Sequence, residues 1–381
     1  MLESVLKARL ESIASEGLLR RVATVTRQAS GNLVATEEGS GLISFACNDY
    51  MALANSSEVK RAAIRAIELY GVGAQASRLV TGNHPLYREL EKKISDIYQT
   101  EAALVFSSGY LANIGSITSI VNRHDMVLAD RFIHASAIDG ARLSGAKIYR
   151  FAHNDLTHCR ELLQKYRSEH RYCLVLVESV YGMDGDLAPV DDLVAMSKQY
   201  NAWLAVDTAH GFGITSTLQP DIYVGTLSKA TGALGGYVCS SKTVIEYLQN
   251  TARSFIYTTA LPPAIVAAAS AAIDVIAKNC ELPVKIAKEF CKIMELPKPQ
   301  SHIVPIIMRD SQSATHAAEI LAKRGFLVAA IRPPTAPTPR LRLAFTAAHT
   351  LHDIHKLCNA LKQEDVIPKF GKSFDAAPVV T

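Results

Sequence analysis

Two short stretches carry residues able to do covalent chemistry on a carbonyl group. In Gly225-Thr226-Leu227-Ser228-Lys229-Ala230-Thr231-Gly232 a single lysine follows the apolar run Ile222-Tyr223-Val224, which reads as a buried strand. An amine just past a buried strand end is partly desolvated, which lowers its pKa and leaves more of it neutral and nucleophilic. A neutral amine forms a Schiff base with an aldehyde. Taken alone, Lys229 more often reads as a solvated loop residue, since most lysines face water. The second stretch changes that balance. Leu204-Ala205-Val206-Asp207-Thr208-Ala209-His210-Gly211 ends an apolar strand in Asp207, with His210 three residues on. Pyridoxal phosphate (PLP) needs a lysine for its aldehyde and a carboxylate to keep its ring nitrogen protonated. Asp207 and Lys229, in that order, about twenty residues apart and each at a strand end, point to such a site.

The elements that must position these residues alternate in type. Apolar strands are expected near 103–106, 127–130, 147–151, 173–178, 203–207, 222–226 and 236–240, most of them separated by helical patterns. That alternation predicts an α/β fold with a mostly parallel seven-stranded sheet covered on both faces. Ligands of such sheets gather at the carboxyl ends of the strands, where Asp207 and Lys229 fall. Two further strand ends are candidates. The turn Ser107-Ser108-Gly109-Tyr110 opens a helix whose free N–H groups could cradle a phosphate. His134, in Asp130-Arg131-Phe132-Ile133-His134-Ala135-Ser136, could stack on a flat ring, although a histidine satisfied by loop hydrogen bonds is the commoner case. The acidic stretch Glu178 to Asp186 lacks calcium-loop spacing, and no metal site is expected.

Upstream, residues 1–20 have helical spacing, Ile43-Ser44-Phe45-Ala46-Cys47 reads as a strand, and 58–70 and the stretch from His84 to Ile97 read as helices. From about residue 262 the character shifts to a smaller α+β unit. It has strands near 302–308, 326–331 and 340–345, helices near 313–324 and 350–363, and a proline-rich loop from Arg332 to Pro339. Arg340 and Arg342 share one strand face, where an inward arginine would fork a carboxylate and an outward one would meet solvent. The domain reading is 1–47 as an N-terminal segment associated with the small domain, 48–261 as the large cofactor-binding domain, and 262–381 as the small domain.

The 381 residues are 49% apolar and 20% charged, with a net charge of +4. That balance fits a soluble globular protein. It gives no case for nucleic acid or membrane binding, while leaving room for an anionic substrate. The seven cysteines are scattered without CxxC pairs, which fits a reducing, cytoplasmic location. The first residues are amphipathic and contain Glu3, unlike a secretory signal.

With these residues assembled, the chain resembles the α-oxoamine synthases, PLP enzymes of the aspartate-aminotransferase fold (fold type I), over roughly residues 15 to 365. The match is carried by Asn48-Asp49-Tyr50, Ser77-Arg78-Leu79-Val80-Thr81-Gly82, Ser108-Gly109-Tyr110, His134-Ala135-Ser136, Phe151-Ala152-His153-Asn154-Asp155, Met183-Asp184-Gly185-Asp186, Asp207-Thr208-Ala209-His210-Gly211 and the lysine segment. Ala330-Ile331-Arg332-Pro333-Pro334-Thr335, Arg340-Leu341-Arg342-Leu343 and Thr346-Ala347-Ala348-His349 are most similar to the biotin-pathway branch. The resemblance implies that L-alanine and a pimeloyl thioester, on coenzyme A or a carrier protein, condense with loss of carbon dioxide. Sister enzymes that use glycine, and a PLP-binding protein without catalysis, are the alternatives.

It also implies roles. Lys229 holds PLP and later moves protons, Asp207 pairs with the ring nitrogen, His210 bonds the ring hydroxyl and His134 stacks on the ring. Ser108, Gly109, Tyr110, Gly182 and Thr226 line the cofactor. Thr258 and Thr259 reach the cofactor phosphate of a second subunit, which makes the protein a homodimer. Arg342 takes the amino-acid carboxylate, and Arg20, Asn48 and Thr335 contact substrate. Three departures stand out: Gly182 where the family commonly has serine, Thr208 where an acid is usual, and a short connection from Gly213 to Pro220.

Overall fold

The structure, a computed structural model, describes residues 1–20, 22, 24–27, 33–36, 41–212, 219–279 and 281–363. Most of the short connection after Gly213 and the tail from about residue 370 lie outside them, as does Cys280. An exposed helix, Leu2–Ser15, precedes three short strands: β1 (Val25–Arg27), β2 (Leu33–Thr36) and β3 (Gly41–Ser44).

The central sheet contains β4 (Ala102–Phe106), β5 (Met126–Asp130), β6 (Lys147–Phe151), β7 (Cys173–Glu178), β8 (Trp203–Asp207), β9 (Ile222–Thr226) and β10 (Gly236–Ser240). Their order is β4-β10-β9-β8-β7-β5-β6, and only β10 runs antiparallel to its neighbours. All seven expected strands are present within a residue at either end. They read as unbroken apolar runs because both faces are covered. Along β7, Cys173, Val175 and Val177 enter one core while Leu174 and Leu176 enter another. Helices Leu86–Tyr98 and Pro263–Asn279 pack on the first face, and Gly109–Ile120 and Ala135–Ser144 on the second.

The C-terminal part adds β11 (Ile303–Ile307), β12 (Phe326–Leu327), β13 (Ala329–Ile331) and β14 (Arg340–Ala344). The expected strand at 326–331 is therefore two strands. β12 pairs with β3 in the sheet of the N-terminal strands, whereas β13 pairs with β14. An apolar run carries no mark of a change of partner, so periodicity could not show the break. The helix Leu282–Ile293 was also not anticipated; Pro283 sits in its first turn, where proline is well tolerated.

Phe45 ties the residues before Asn48 to this C-terminal core. Its N–H donates to Leu327 O at 2.8 Å, its carbonyl accepts from Ala344 N at 2.8 Å, and its ring stacks on His349 at 4.1 Å. Five of the six described cysteines are buried and serve as small core residues. Among the described residues no helix is long and apolar enough to cross a membrane.

Candidate active site

Parallel neighbours place strand ends side by side. In the β7–β8 register Glu178 stands opposite Asp207, and β9 runs beside β8 into the loop carrying Lys229. The lysine is half-buried, and its Nζ lies 2.7 Å from His210 Nε2. Burial drives its amine down to about 8, against the opposing pull of the Asp207 and Glu178 charges, with Arg342 assisting the fall. Glu178 goes the other way: burial first, then the charge of Asp207, pushes its carboxyl up to about 8, with Lys229 opposing. Near neutral pH the pocket therefore keeps Glu178 mostly protonated and leaves a minor but substantial share of the Lys229 amine neutral, far more than an ordinary lysine has.

Asn113, on the Gly109–Ile120 helix, fixes two of the expected residues at once. Its Nδ2 donates to Asp207 Oδ2 at 2.7 Å and to Ser136 Oγ at 3.0 Å, and Ser136 Oγ lies 2.7 Å from His134 Nδ1. Asp207 Oδ1 accepts from Ala209 N at 2.9 Å. His134 also caps the Ala135–Ser144 helix by accepting from Ser136 N, so the bland expectation of a loop-satisfied histidine is part of its role.

The residues fit PLP. Ser108 caps the Gly109–Ile120 helix through Leu111 N, leaving the first N–H groups of that helix for an anion. A Cβ on Gly109 would stand 3.0 Å from Thr226 Cβ, so glycine lets this helix start close on the end of β9. Thr226 Oγ1 lies 2.8 Å from Ser228 Oγ and donates to Gly235 O. Tyr110 OH donates to Asp139 at 2.5 Å at the rim. Thr259 O accepts from Ser107 Oγ of the same chain at 3.4 Å, so the Thr258–Thr259 pair lies beside this cradle.

Arg342 is buried and reaches the basin from β14. Its Nε donates to Gly182 O at 2.5 Å and its Nη2 to Tyr50 OH at 3.1 Å, so the arginine faces inward. Arg20 and Thr335, far apart in sequence, touch at 3.3 Å between Nη2 and Oγ1. Asn48 Oδ1 accepts from Tyr50 OH at 3.1 Å. The acidic stretch after Glu178 is met by cations of the chain itself. Arg340 pairs with Asp184, and His153 bridges Asp186 at 2.8 Å and Asp130 at 3.0 Å. Burial alone would lower His153, but the two carboxylates outweigh it and raise the imidazole to about 10. Thr208 is buried in a hydroxyl cluster with Tyr98 and Tyr237, at 3.0 and 2.9 Å.

Sequence reasoning missed Tyr50, Asn113, Glu178 and His302 as members of this basin. Only Glu178 left a signal, a carboxylate at a strand end beside that of Asp207. A cavity of about 770 Å³ opens at the opposite end of the sheet, between Trp203, Tyr172 and Tyr247. No lysine, histidine or arginine lines it, so it cannot perform the chemistry derived above.

A seven-stranded α/β sheet that sets a desolvated lysine beside a fixed carboxylate and an anion-binding helix start defines a PLP-dependent enzyme of fold type I. A sequence profile described as aminotransferase class I and II matches residues 40–361, and the chain belongs to that family, in its α-oxoamine synthase branch. It is 44% identical to the 8-amino-7-oxononanoate synthase of Methylobacterium nodulans over 95% of this chain and 97% of that one. Among solved structures it resembles Sphingomonas wittichii serine palmitoyltransferase, with a TM-score of 0.86 and 29% identity over 93% of this chain and 95% of that one. It also resembles Francisella tularensis 8-amino-7-oxononanoate synthase, with a TM-score of 0.69 and 27% identity over 84% and 96%. Related serine palmitoyltransferase structures contain PLP, the cofactor of this enzyme class.

Asn113→Ala removes the donor that holds Asp207. The variant is expected to stay folded and to bind PLP about ten- to a hundredfold more weakly, the range for a lost hydrogen bond to a charged group. Cofactor titration followed by absorbance, with a melting curve as the folding control, measures this.

Proposed function

We propose that the chain condenses L-alanine with a pimeloyl thioester, on coenzyme A or a carrier protein, to give 8-amino-7-oxononanoate, carbon dioxide and the free thiol. The observation that carries this reading is the convergence of Lys229, Asp207, His210 and the inward Arg342 on one buried basin, in a chain 44% identical to a protein of that name. When bound, PLP supplies an aldehyde for the lysine and an electron-withdrawing ring that takes up charge from the amino-acid Cα.

The chain's own groups do the rest. Lys229, with its amine held near 8, is neutral often enough at physiological pH to join the aldehyde. Lys229 would hold the aldehyde when PLP is bound, and its amine is placed to remove and return the proton at the alanine Cα. Asp207 is the partner of the ring nitrogen, and Asn113 keeps that carboxylate in place. His134 covers the ring and supports the thioester carbonyl, while His210 serves the ring hydroxyl. Ser108, Gly109, Tyr110 and Thr226 take the phosphate side. Arg342 keeps unused guanidinium donors for the alanine carboxylate. Asn48 and the Arg20–Thr335 pair receive the acyl substrate. In net terms a C–C bond forms between the alanine Cα and the pimeloyl carbonyl, the C–S bond breaks and the thiol leaves. The alanine carboxylate departs as carbon dioxide, and one proton returns to the Cα.

The working form is a homodimer in which Thr258 and Thr259 of one subunit reach the phosphate of the other. Supporting this, the single chain exposes Ile64, Ile67, Val72, Leu79, Val80 and Tyr257, apolar side chains that a second subunit would cover. Sedimentation should return twice the chain mass, and a monomer that is fully active contradicts the arrangement.

Mass spectrometry of product from alanine and pimeloyl-CoA tests the reaction. 8-Amino-7-oxononanoate and carbon dioxide are expected, with Lys229→Ala inactive. Glycine, or serine with a long acyl thioester, turning over faster than alanine contradicts the substrate assignment. A reducible cofactor without carbon dioxide release contradicts catalysis.

A further inference from the structure

Tyr50 is a group that the chemistry above leaves unused. Its ring is buried, and its hydroxyl meets His210 Nδ1 at 2.6 Å, Asn48 Oδ1 at 3.1 Å and Arg342 Nη2 at 3.1 Å. His210 Nε2 then meets Lys229 Nζ at 2.7 Å. Arg342, Tyr50, His210 and Lys229 thus form one unbroken line of hydrogen bonds.

Counting protons shows what the line can do. Arg342 can only donate, so the Tyr50 oxygen accepts from it, and Tyr50 has one proton to give. If that proton goes to Asn48, His210 donates from Nδ1 to Tyr50 and accepts at Nε2 from a protonated Lys229. If it goes to Nδ1 instead, His210 donates from Nε2 to a neutral Lys229. The bond directions reverse with the charge of the lysine while every heavy atom stays in place. Burial holds His210 well below its ordinary value, with the Lys229 and Arg342 charges adding to the effect, so the ring is neutral and free to change tautomer. Room for the ring depends on Gly182, where a Cβ would stand 2.2 Å from His210 Nε2.

We propose that Tyr50 is a positioning residue that couples the protonation of Lys229 to the arginine receiving the substrate carboxylate, with Gly182 providing the slot in which His210 makes the link. The proposal rests on the roles given above to Lys229 and Arg342. Among the described residues, the charged and titratable groups facing this line are Asp207 and Glu178 at the strand ends, Arg342 on β14, His302 just before β11, His134 at its helix start and Cys47 before the Tyr50 turn.

Tyr50→Phe keeps the ring, which lies 3.9 Å from that of His302, and removes the hydroxyl. The readout is the pH dependence of the rate at which full-length enzyme, stripped of cofactor, captures PLP. In the variant, the tautomer that supports a charged lysine leaves a buried Nδ1–H without an acceptor. The other tautomer leaves only a lone pair, the smaller penalty. The midpoint should therefore fall by about one pH unit, making capture about tenfold faster at pH values below both midpoints. Gly182→Ala, which pushes the imidazole off Lys229, should lower the midpoint too. In a His210→Ala background Tyr50→Phe should add nothing, because it acts through the imidazole. An unshifted or raised midpoint in Tyr50→Phe overturns the proposal, and so does a full additional shift in the His210→Ala background. Wild-type enzyme that captures no PLP overturns the Lys229 assignment and this coupling together. Failure of the alanine–pimeloyl reaction leaves the capture profile intact, so the two failures are distinguishable.

Discussion

The site depends on a contest between burial and charge at one amine. Desolvation at the C-terminal edge of the sheet favours neutral Lys229, while the carboxylates of Asp207 and Glu178 favour the ammonium, and burial wins far enough to bring the amine to about 8. The same burial pushes Glu178 up to about 8, so the two carboxylates facing each other on β7 and β8 are not both charged at neutral pH. A more exposed lysine would stay protonated, and one without acids nearby would be too weak a base to return a proton.

Everything around that amine fixes distances. Strands buried on both faces set the spacing of Glu178, Asp207 and the Lys229 loop. The Gly109–Ile120 helix supplies a start whose first N–H groups have no partner within the helix and, one turn on, Asn113, which holds Asp207 and through Ser136 reaches His134. The loop after Glu178 is clamped by Arg340 on Asp184, by His153 on Asp186 and by Arg342 on the Gly182 carbonyl. Both arginines lie on β14, so the C-terminal part of the chain sets the shape of a loop that belongs to the central sheet. Phe45 anchors the approach to Asn48 and Tyr50 in the same C-terminal core.

What could be read from the sequence follows the range of each interaction. The seven strands were legible because apolar runs of this length have few other uses, and Asp207 and Lys229 were legible because each ends such a run. The choice between inward and outward faces for Arg342 was open, since alternation with leucines fixes that two residues share a face but not which one. The structure points Arg342 inward, and Arg340 is buried with it against Asp184. Asn113 could not have been paired with Asp207, as the contact joins residues 94 positions apart through a turn of helix with no local pattern. Tyr50 stands in a polar turn with no local pattern to mark it, and its link to His210 spans 160 positions. The break of the 326–331 run into β12 and β13 depends on partners from opposite ends of the chain.

The most direct test of the account is to reduce the PLP-loaded enzyme with borohydride, digest it and map the modified residue by mass spectrometry. The account predicts a single phosphopyridoxyl group on the peptide containing Lys229. A group on any other lysine, or none, contradicts it.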